Sequence, residues 1–93
     1  MNLPGFNLRI LTPDKVIIDQ PVEKVIVRTI EGDIGILKNH INYISAIKNG
    51  PVTIFHLDGK KESLILNDGF VSVMDGKVDI VVFNSIKFNQ KTK

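Results

Sequence analysis

Side chains able to do chemistry are few in these 93 residues, and most stand apart from one another. Cysteine is absent, which excludes disulfides, thiolate nucleophiles and thiolate metal sites. Glu31 and Asp33 flank Gly32, close enough to suggest a general acid/base pair. No histidine or pocket-forming aromatic stands beside them to move their pKa values, so a solvated acidic tip is the better reading. Such a tip would meet an Arg or Lys on a partner, adding complementarity more than raw affinity. His40 closes the same stretch. It is either a solvated turn residue or a contact whose ring hydrogen-bonds a partner at neutral pH. His56 alternates with Val52 and Ile54, which puts it on a partly buried strand face in a structural role.

The motif inventory points the same way. The sequence contains no G-x-S-x-G, no H-E-x-x-H and no G-x-x-x-x-G-K-[ST]. Gly32-x-x-Gly35 has the spacing of a phosphate-clamping loop in some RNA-binding domains, but it follows a strand instead of joining helices and reads as chance. Twelve Lys+Arg against ten Asp+Glu give a net charge of +2, spread without a block that would grip a phosphate backbone. Lys60, Lys61 and Lys77, with Lys87, Lys91 and Lys93, make at most a weak basic face. Five Phe and one Tyr leave little to stack on bases. No nucleic-acid partner is expected. Pro13-Asp14-Lys15-Val16 resembles the Asp-Lys turn on which lipoyl domains carry their modified lysine. Here that lysine follows a proline early in the chain instead of topping a hairpin, so a free-standing lipoyl-like carrier or binding module is kept only as the alternative.

The elements that must hold these residues read as one all-β domain. Phe6–Leu11, Lys15–Asp19 and Glu23–Ile30 are strand patterns, the second ending before Pro21. Glu31 to His40 reads as the organising loop, its two glycines marking a tight reversal that presents an acidic and apolar tip. Over Asn42–Ile47 the spacing of Ile41, Ile44 and Ile47 fits a helix, while β-branching and short length favour a strand. Val52–Leu57 and Glu62–Leu66 flank Asp58-Gly59, and Phe70–Met74 and Lys77–Phe83 flank Asp75-Gly76, a type I′ hairpin signal. The sum is a flattened β-sandwich or barrel of about eight to ten short, mostly antiparallel strands. Residues 1–84 form the sandwich, and the polar run 85–93 is expected to fray. No apolar run approaches the ~20 residues of a membrane span, and the N-terminus lacks signal-peptide or transit-peptide composition.

Several pieces, in order and at consistent spacing, resemble the N-terminal β-sandwich domain of the epsilon subunit of F-type ATP synthases. They are Leu8-Arg9-Ile10-Leu11-Thr12-Pro13-Asp14-Lys15-Val16, then Val22-Glu23-Lys24-Val25-Ile26-Val27, then Glu31-Gly32-Asp33-Ile34-Gly35-Ile36-Leu37 with His40. Ile47-Lys48-Asn49-Gly50 and Asp68-Gly69-Phe70-Val71-Ser72-Val73 complete the set. The resemblance implies a non-catalytic rotor subunit of the central stalk, without cofactor or metal. It would tie the gamma subunit to the c-ring and act on the alpha/beta head indirectly. It implies c-ring contacts at Glu31, Asp33 and Ile34 and gamma contacts at Thr12, His40 and Ser45. It further implies a peripheral place on the cytoplasmic face of the bacterial inner membrane, with no direct insertion. Two departures stand out: Lys38-Asn39 replaces the usual Pro-Gly before the histidine, and the pattern opening the family's C-terminal helical hairpin is missing. Neither inhibition by that hairpin nor ATP binding is therefore expected of these residues.

Overall fold

Alternating runs of Val, Ile and Leu make strands because each run can bury one face and hydrate the other. The computed structural model describes residues 5–83 and the backbone of residues 87–92. In chain order the strands are β1 (Phe6–Leu11), β2 (Val16–Val22), β3 (Lys24–Thr29), β4 (Gly32–Leu37) and β5 (Tyr43–Ile47). They continue as β6 (Gly50–Phe55), β7 (Lys61–Leu66), β8 (Gly69–Met74), β9 (Lys77–Val82) and β10 (Lys87–Thr92). No helix occurs among the described residues.

All ten strands belong to one curled sheet in the order β10-β7-β6-β3-β5-β8-β9-β1-β2, with β4 added to β3. The fold line is β3. Its Lys24–Ile26 half pairs with β6, Thr29 at its end pairs with Ile47 of β5, and β4 runs along its whole other edge. One leaf is therefore β4-β3-β6-β7-β10 and the other β5-β8-β9-β1-β2, the expected sandwich in the form of a half-barrel. Every pairing is antiparallel except β1 with β9.

Alternation places Leu8, Ile10, Val25, Val27, Val52, Ile54, Leu64, Leu66, Val71 and Ile80 inside, each essentially removed from water. Burying one such side chain is worth about 1.5–3 kcal/mol before entropy is charged against it. Asp75 and Gly76 take φ values of +51° and +81°, the pair of positive angles that a type I′ turn requires.

Three sequence expectations change, and one reading left open resolves to the favoured strand. The stretch Glu31–His40 is not one loop: Gly32–Leu37 is strand, in register with β3 from Thr29↔Gly32 to Lys24↔Leu37. The reversal is the two-residue turn Ile30-Glu31, followed by Gly32 at φ +116°. Gly35 shows no positive φ and lies opposite Ile26 within the ladder. The ambiguous segment Asn42–Ile47 is strand, since β8 offers it a ladder from Tyr43↔Val73 to Ile47↔Gly69. The second strand continues through Pro21 to Val22. Because β2 lies at the end of the sheet order, a proline without an N–H costs it little pairing. Lastly, Lys87–Thr92 is strand, because the outer side of β7 offers unpaired backbone groups that an adjoining segment can satisfy. The expected boundary at residue 84, with residues 85, 86 and 93, lies outside the described residues.

His56 has the structural place expected of it. Gln20 Nε2 of β2 donates to its Nδ1 at 2.8 Å, and its own Nε2 donates to Glu62 Oε1 of β7 at 2.8 Å. The imidazole thus links the far edge of one leaf to the other. Removing it leaves the half-buried Glu62 carboxylate without its partner, while the exposed Gln20 turns to water, so His56→Ala should lower stability by about 1 kcal/mol, read as a shifted urea midpoint with unchanged slope.

Candidate functional site

The acidic tip is built by strand register. A two-residue turn after Thr29 sets Arg28 opposite Asp33, and the Arg28 Nε donates to Asp33 Oδ1 at 3.0 Å. That hydrogen bond, and then the carboxylate charge, raise the guanidinium pKa above its ordinary value. Asp33 is therefore already paired, and one of the tip's two carboxylates is neutralised locally. Both partners are roughly half exposed, so the pair adds little stability and mainly orients its members.

Beneath the turn Thr29 is buried, with its hydroxyl donating to the Gly32 carbonyl at 2.9 Å and accepting from the Glu31 N–H at 3.0 Å. This fixes the backbone on which Glu31 stands. The Glu31 carboxylate in turn accepts from the Tyr43 hydroxyl at 2.8 Å. Tyr43 packs edge-on to His40, ring centroids 6.0 Å apart. His40 Nδ1 lies 2.7 Å from the Ile41 carbonyl, so it carries the proton and leaves Nε2 as an acceptor. Glu31, Tyr43 and His40 form one chain of contacts joining the turn before β4, the start of β5 and the segment between β4 and β5. Sequence reasoning named its two ends and missed Tyr43, since nothing in the spacing shows that a turn at 30–31 and the start of β5 meet.

The most exposed large apolar side chains among the described residues are Ile41 (77%), Ile44 (71%) and Ile30 (62%). Ile30 is tied to this neighbourhood by its N–H, which donates to the Ala46 carbonyl at 3.1 Å. A small end of the molecule therefore shows water two acids, one paired with arginine, amid three isoleucines. No group of three His, Cys, Asp or Glu able to hold a metal occurs among the described residues. An apolar surface with oriented polar groups is suited to docking against protein.

The remaining expected contact residues fall elsewhere. Ile34 of β4 is half-buried opposite Val27 and packs against the core. Ser45 is half-buried in register with Val71, on the row that turns inward, and its hydroxyl donates to the Ala46 carbonyl at 3.1 Å. Thr12 directly follows β1, three strands across that leaf from β5, its hydroxyl accepting the N–H groups of Asp14 and Lys15. Glu31, Asp33 and His40 thus share one end of the molecule, whereas Thr12 does not. Contrary to expectation, Lys15 does sit at a hairpin tip, the exposed turn between β1 and β2 that Thr12 organises, but Leu11 and Val16 flank that turn in place of paired acids.

Residues 5–87 match the family model described as ATP synthase, Delta/Epsilon chain, beta-sandwich domain. The ATP synthase epsilon chain of Alkaliphilus metalliredigens is 40% identical over 76 residues, covering 82% of this chain and 56% of that protein. The chloroplastic ATP synthase epsilon chain of Pinus koraiensis is 35% identical over 79 residues, covering 85% of this chain and 57% of its own length. Among solved structures, a chain of the Euglena gracilis mitochondrial ATP synthase (OSCP/F1/c-ring) superposes with a TM-score of 0.81 at 31% identity, over 90% of this chain and 54% of that one. A chain of the Tetrahymena thermophila mitochondrial ATP synthase central stalk and c-ring shares the fold, with a TM-score of 0.71 at 18% identity over 84% of this chain and 63% of that one. The chain spans a little more than half the length of the curated relatives it matches.

Proposed function

The chain belongs to the Delta/Epsilon chain β-sandwich family of ATP synthase, and from that premise we propose that it is a rotor subunit coupling the gamma subunit to the c-ring. Its work is mechanical and non-catalytic, acting on the alpha/beta head through gamma. The observation that carries this reading is the exposed end where Glu31, Asp33 and His40 stand among Ile30, Ile41 and Ile44 on a stiff two-leaf sheet. Torque passes through a body that does not shear, and continuous hydrogen-bonded ladders resist shear better than loops do. Its likeness to a chain from an F1/c-ring assembly supports the same reading.

On this reading Glu31, Asp33 and Ile34 lie toward the c-ring, and Thr12, His40 and Ser45 toward gamma. The location is peripheral, on the cytoplasmic face of the bacterial inner membrane. No helix among the described residues is long and apolar enough to cross one. A pulldown from membranes should recover gamma and the alpha/beta head. A mass shift on Lys15 in place of those partners would favour a lipoyl-like carrier. Asp33→Lys sets two cations side by side at the hairpin and should weaken retention of the c-ring by about tenfold, with the melting temperature nearly unchanged. Equal co-purification and coupling in that variant would remove Asp33 from the contact.

A further inference from the structure

The two carboxylates at the exposed end are held in different ways. Asp33 faces Arg28 across the β3–β4 ladder, and the guanidinium donates to one of its oxygens at 3.0 Å. A foreign cation approaching Asp33 meets Arg28 beside it and is repelled. Glu31 stands differently, since among the described residues no ion pair includes it. Its partner is the Tyr43 hydroxyl, which donates to Oε1 at 2.8 Å. A neutral phenol fills one lone pair of the carboxylate and leaves the charge whole. Tyr43 is itself well anchored: it opens β5 opposite Val73, packs against the core and meets the His40 ring edge-on. The buried Thr29 hydroxyl fixes the backbone beneath Glu31. A flexible side chain on an exposed turn is thereby fastened from below and from the side.

We infer, resting on the central-stalk reading, that Glu31 and not Asp33 makes this end's charge contact with a lysine or arginine of the c-ring, and that Tyr43 is its positioning residue. Asp33 serves to hold Arg28. That reading sets both acids toward the c-ring, and the pairing divides their work. The chemistry follows from what each group has left to give. An ionised carboxylate accepts from several directions, and the phenol occupies only one, so Glu31 keeps acceptor sites for an ammonium or a guanidinium. Ile30 adjoins it in the turn and is 62% exposed, so docking removes water from around the charge and strengthens the contact. Binding ordinarily charges a long side chain for the rotamers it gives up. The Tyr43 hydroxyl meets that cost beforehand, an advantage of about threefold in affinity for one such side chain.

The test titrates the full chain and its variants against the gamma–c-ring assembly of the same organism, stripped of this chain. Glu31→Gln keeps the shape and the phenol contact but loses the charge. Its Kd should rise by about tenfold at low salt, and the dependence of affinity on salt should flatten. Arg28→Gln/Asp33→Asn removes a half-exposed pair without changing net charge, so Kd and melting temperature should stay close to those of the unsubstituted chain, Kd within about twofold. Tyr43→Phe keeps the ring against His40 and loses only the hydroxyl, and Kd should rise by about threefold. In a Glu31→Ala background the same change should have no further effect, whereas a merely structural hydroxyl would weaken both backgrounds alike. Glu31→Gln binding as tightly as the unsubstituted chain overturns the inference and leaves the stalk reading standing. So does a loss from the paired Arg28/Asp33 change as large as that from Glu31→Gln. Equal losses from Tyr43→Phe in the two backgrounds overturn the positioning role. An unsubstituted chain that does not bind the assembly overturns both readings.

Discussion

Gly69→Ala should unfold this domain at physiological temperature or bring it close to doing so. Gly69 opens β8 between two partners, Ile47 on one side and Val82 on the other. A methyl group there would overlap the carbonyl oxygen of Val81 and stand 2.8 Å from Cα of Val82. These are backbone atoms of a neighbouring strand, so no rotamer change relieves the overlap. The strands must part, and β9 lies between β8 and β1, so parting them disturbs the middle of a leaf. Overpacking of this kind commonly costs about 1–3 kcal/mol and more where only backbone can move. A 93-residue domain has roughly 5–14 kcal/mol to lose, so a fall in melting temperature of about 10–20 °C is expected. Gly35→Ala is the companion measurement. Its Cβ would meet nothing nearer than the flexible Lys24 Cε at 3.5 Å, and its φ is ordinary. That variant should be neutral or slightly stabilising, by up to ~1 kcal/mol, since alanine has less unfolded freedom to lose. Similar melting of both variants would mean that the close approach at Gly69 is not what holds β8 against β9.

Val27→Asp should be at least as damaging. Val27 is fully buried in β3, opposite Ile34 and within the core shared by both leaves. A carboxylate there loses its hydration with no cation facing it, at a cost of several kcal/mol. Burial raises the introduced group's folded-state pKa above its unfolded value of about 3.9. The native state then binds the proton more tightly, so the penalty is full above the raised pKa and shrinks as pH falls toward the unfolded value. Denaturant titrations at neutral and mildly acidic pH should show the variant recovering part of its deficit in acid. A penalty that does not change with pH would show that the carboxyl reaches water.

Much of this fold is legible in the residues because alternation and turn chemistry act locally. Leu8 and Ile10 against Asn7 and Arg9, or Val25 and Val27 against Lys24 and Arg28, name their faces without help. Asp75-Gly76 names its turn. The misreadings have physical reasons. Ile30-Glu31 makes a two-residue turn from residues that do not advertise one, because the strain is passed to Gly32 and the buried Thr29 hydroxyl ties the backbone. Gly32 and Gly35 together therefore look like a loop, although Gly35 sits in a ladder. Ile41, Ile44 and Ile47 were no misreading: their spacing is helical, but β-branching and short length favour a strand, and pairing with β8 agrees.

The candidate site was half legible. Glu31, Asp33 and His40 stand out by type and position. Arg28 becomes Asp33's partner only once the turn is placed, because the register then fixes the pair. The outward side of β8 was hidden for another reason: in Phe70–Met74 both faces of the strand are apolar at most positions, so alternation does not say which one faces out. Pairing between residues far apart in sequence, such as Leu11 with Val81, leaves no local mark at all.

That last pairing bears on how the protein is made. β1 is synthesised first, yet it lies between β2 and β9 and needs residues 77–81 for its parallel ladder. At ribosomal speeds of roughly 5–20 residues per second, the β1–β2 hairpin waits several seconds with one side open before its neighbour emerges. Two hairpins built from adjacent residues, β6–β7 and β8–β9, can close as they appear. The opening residues of the chain are thus among the last to find their place, and a nascent chain stalled before residue 77 would expose a sticky edge to chaperones.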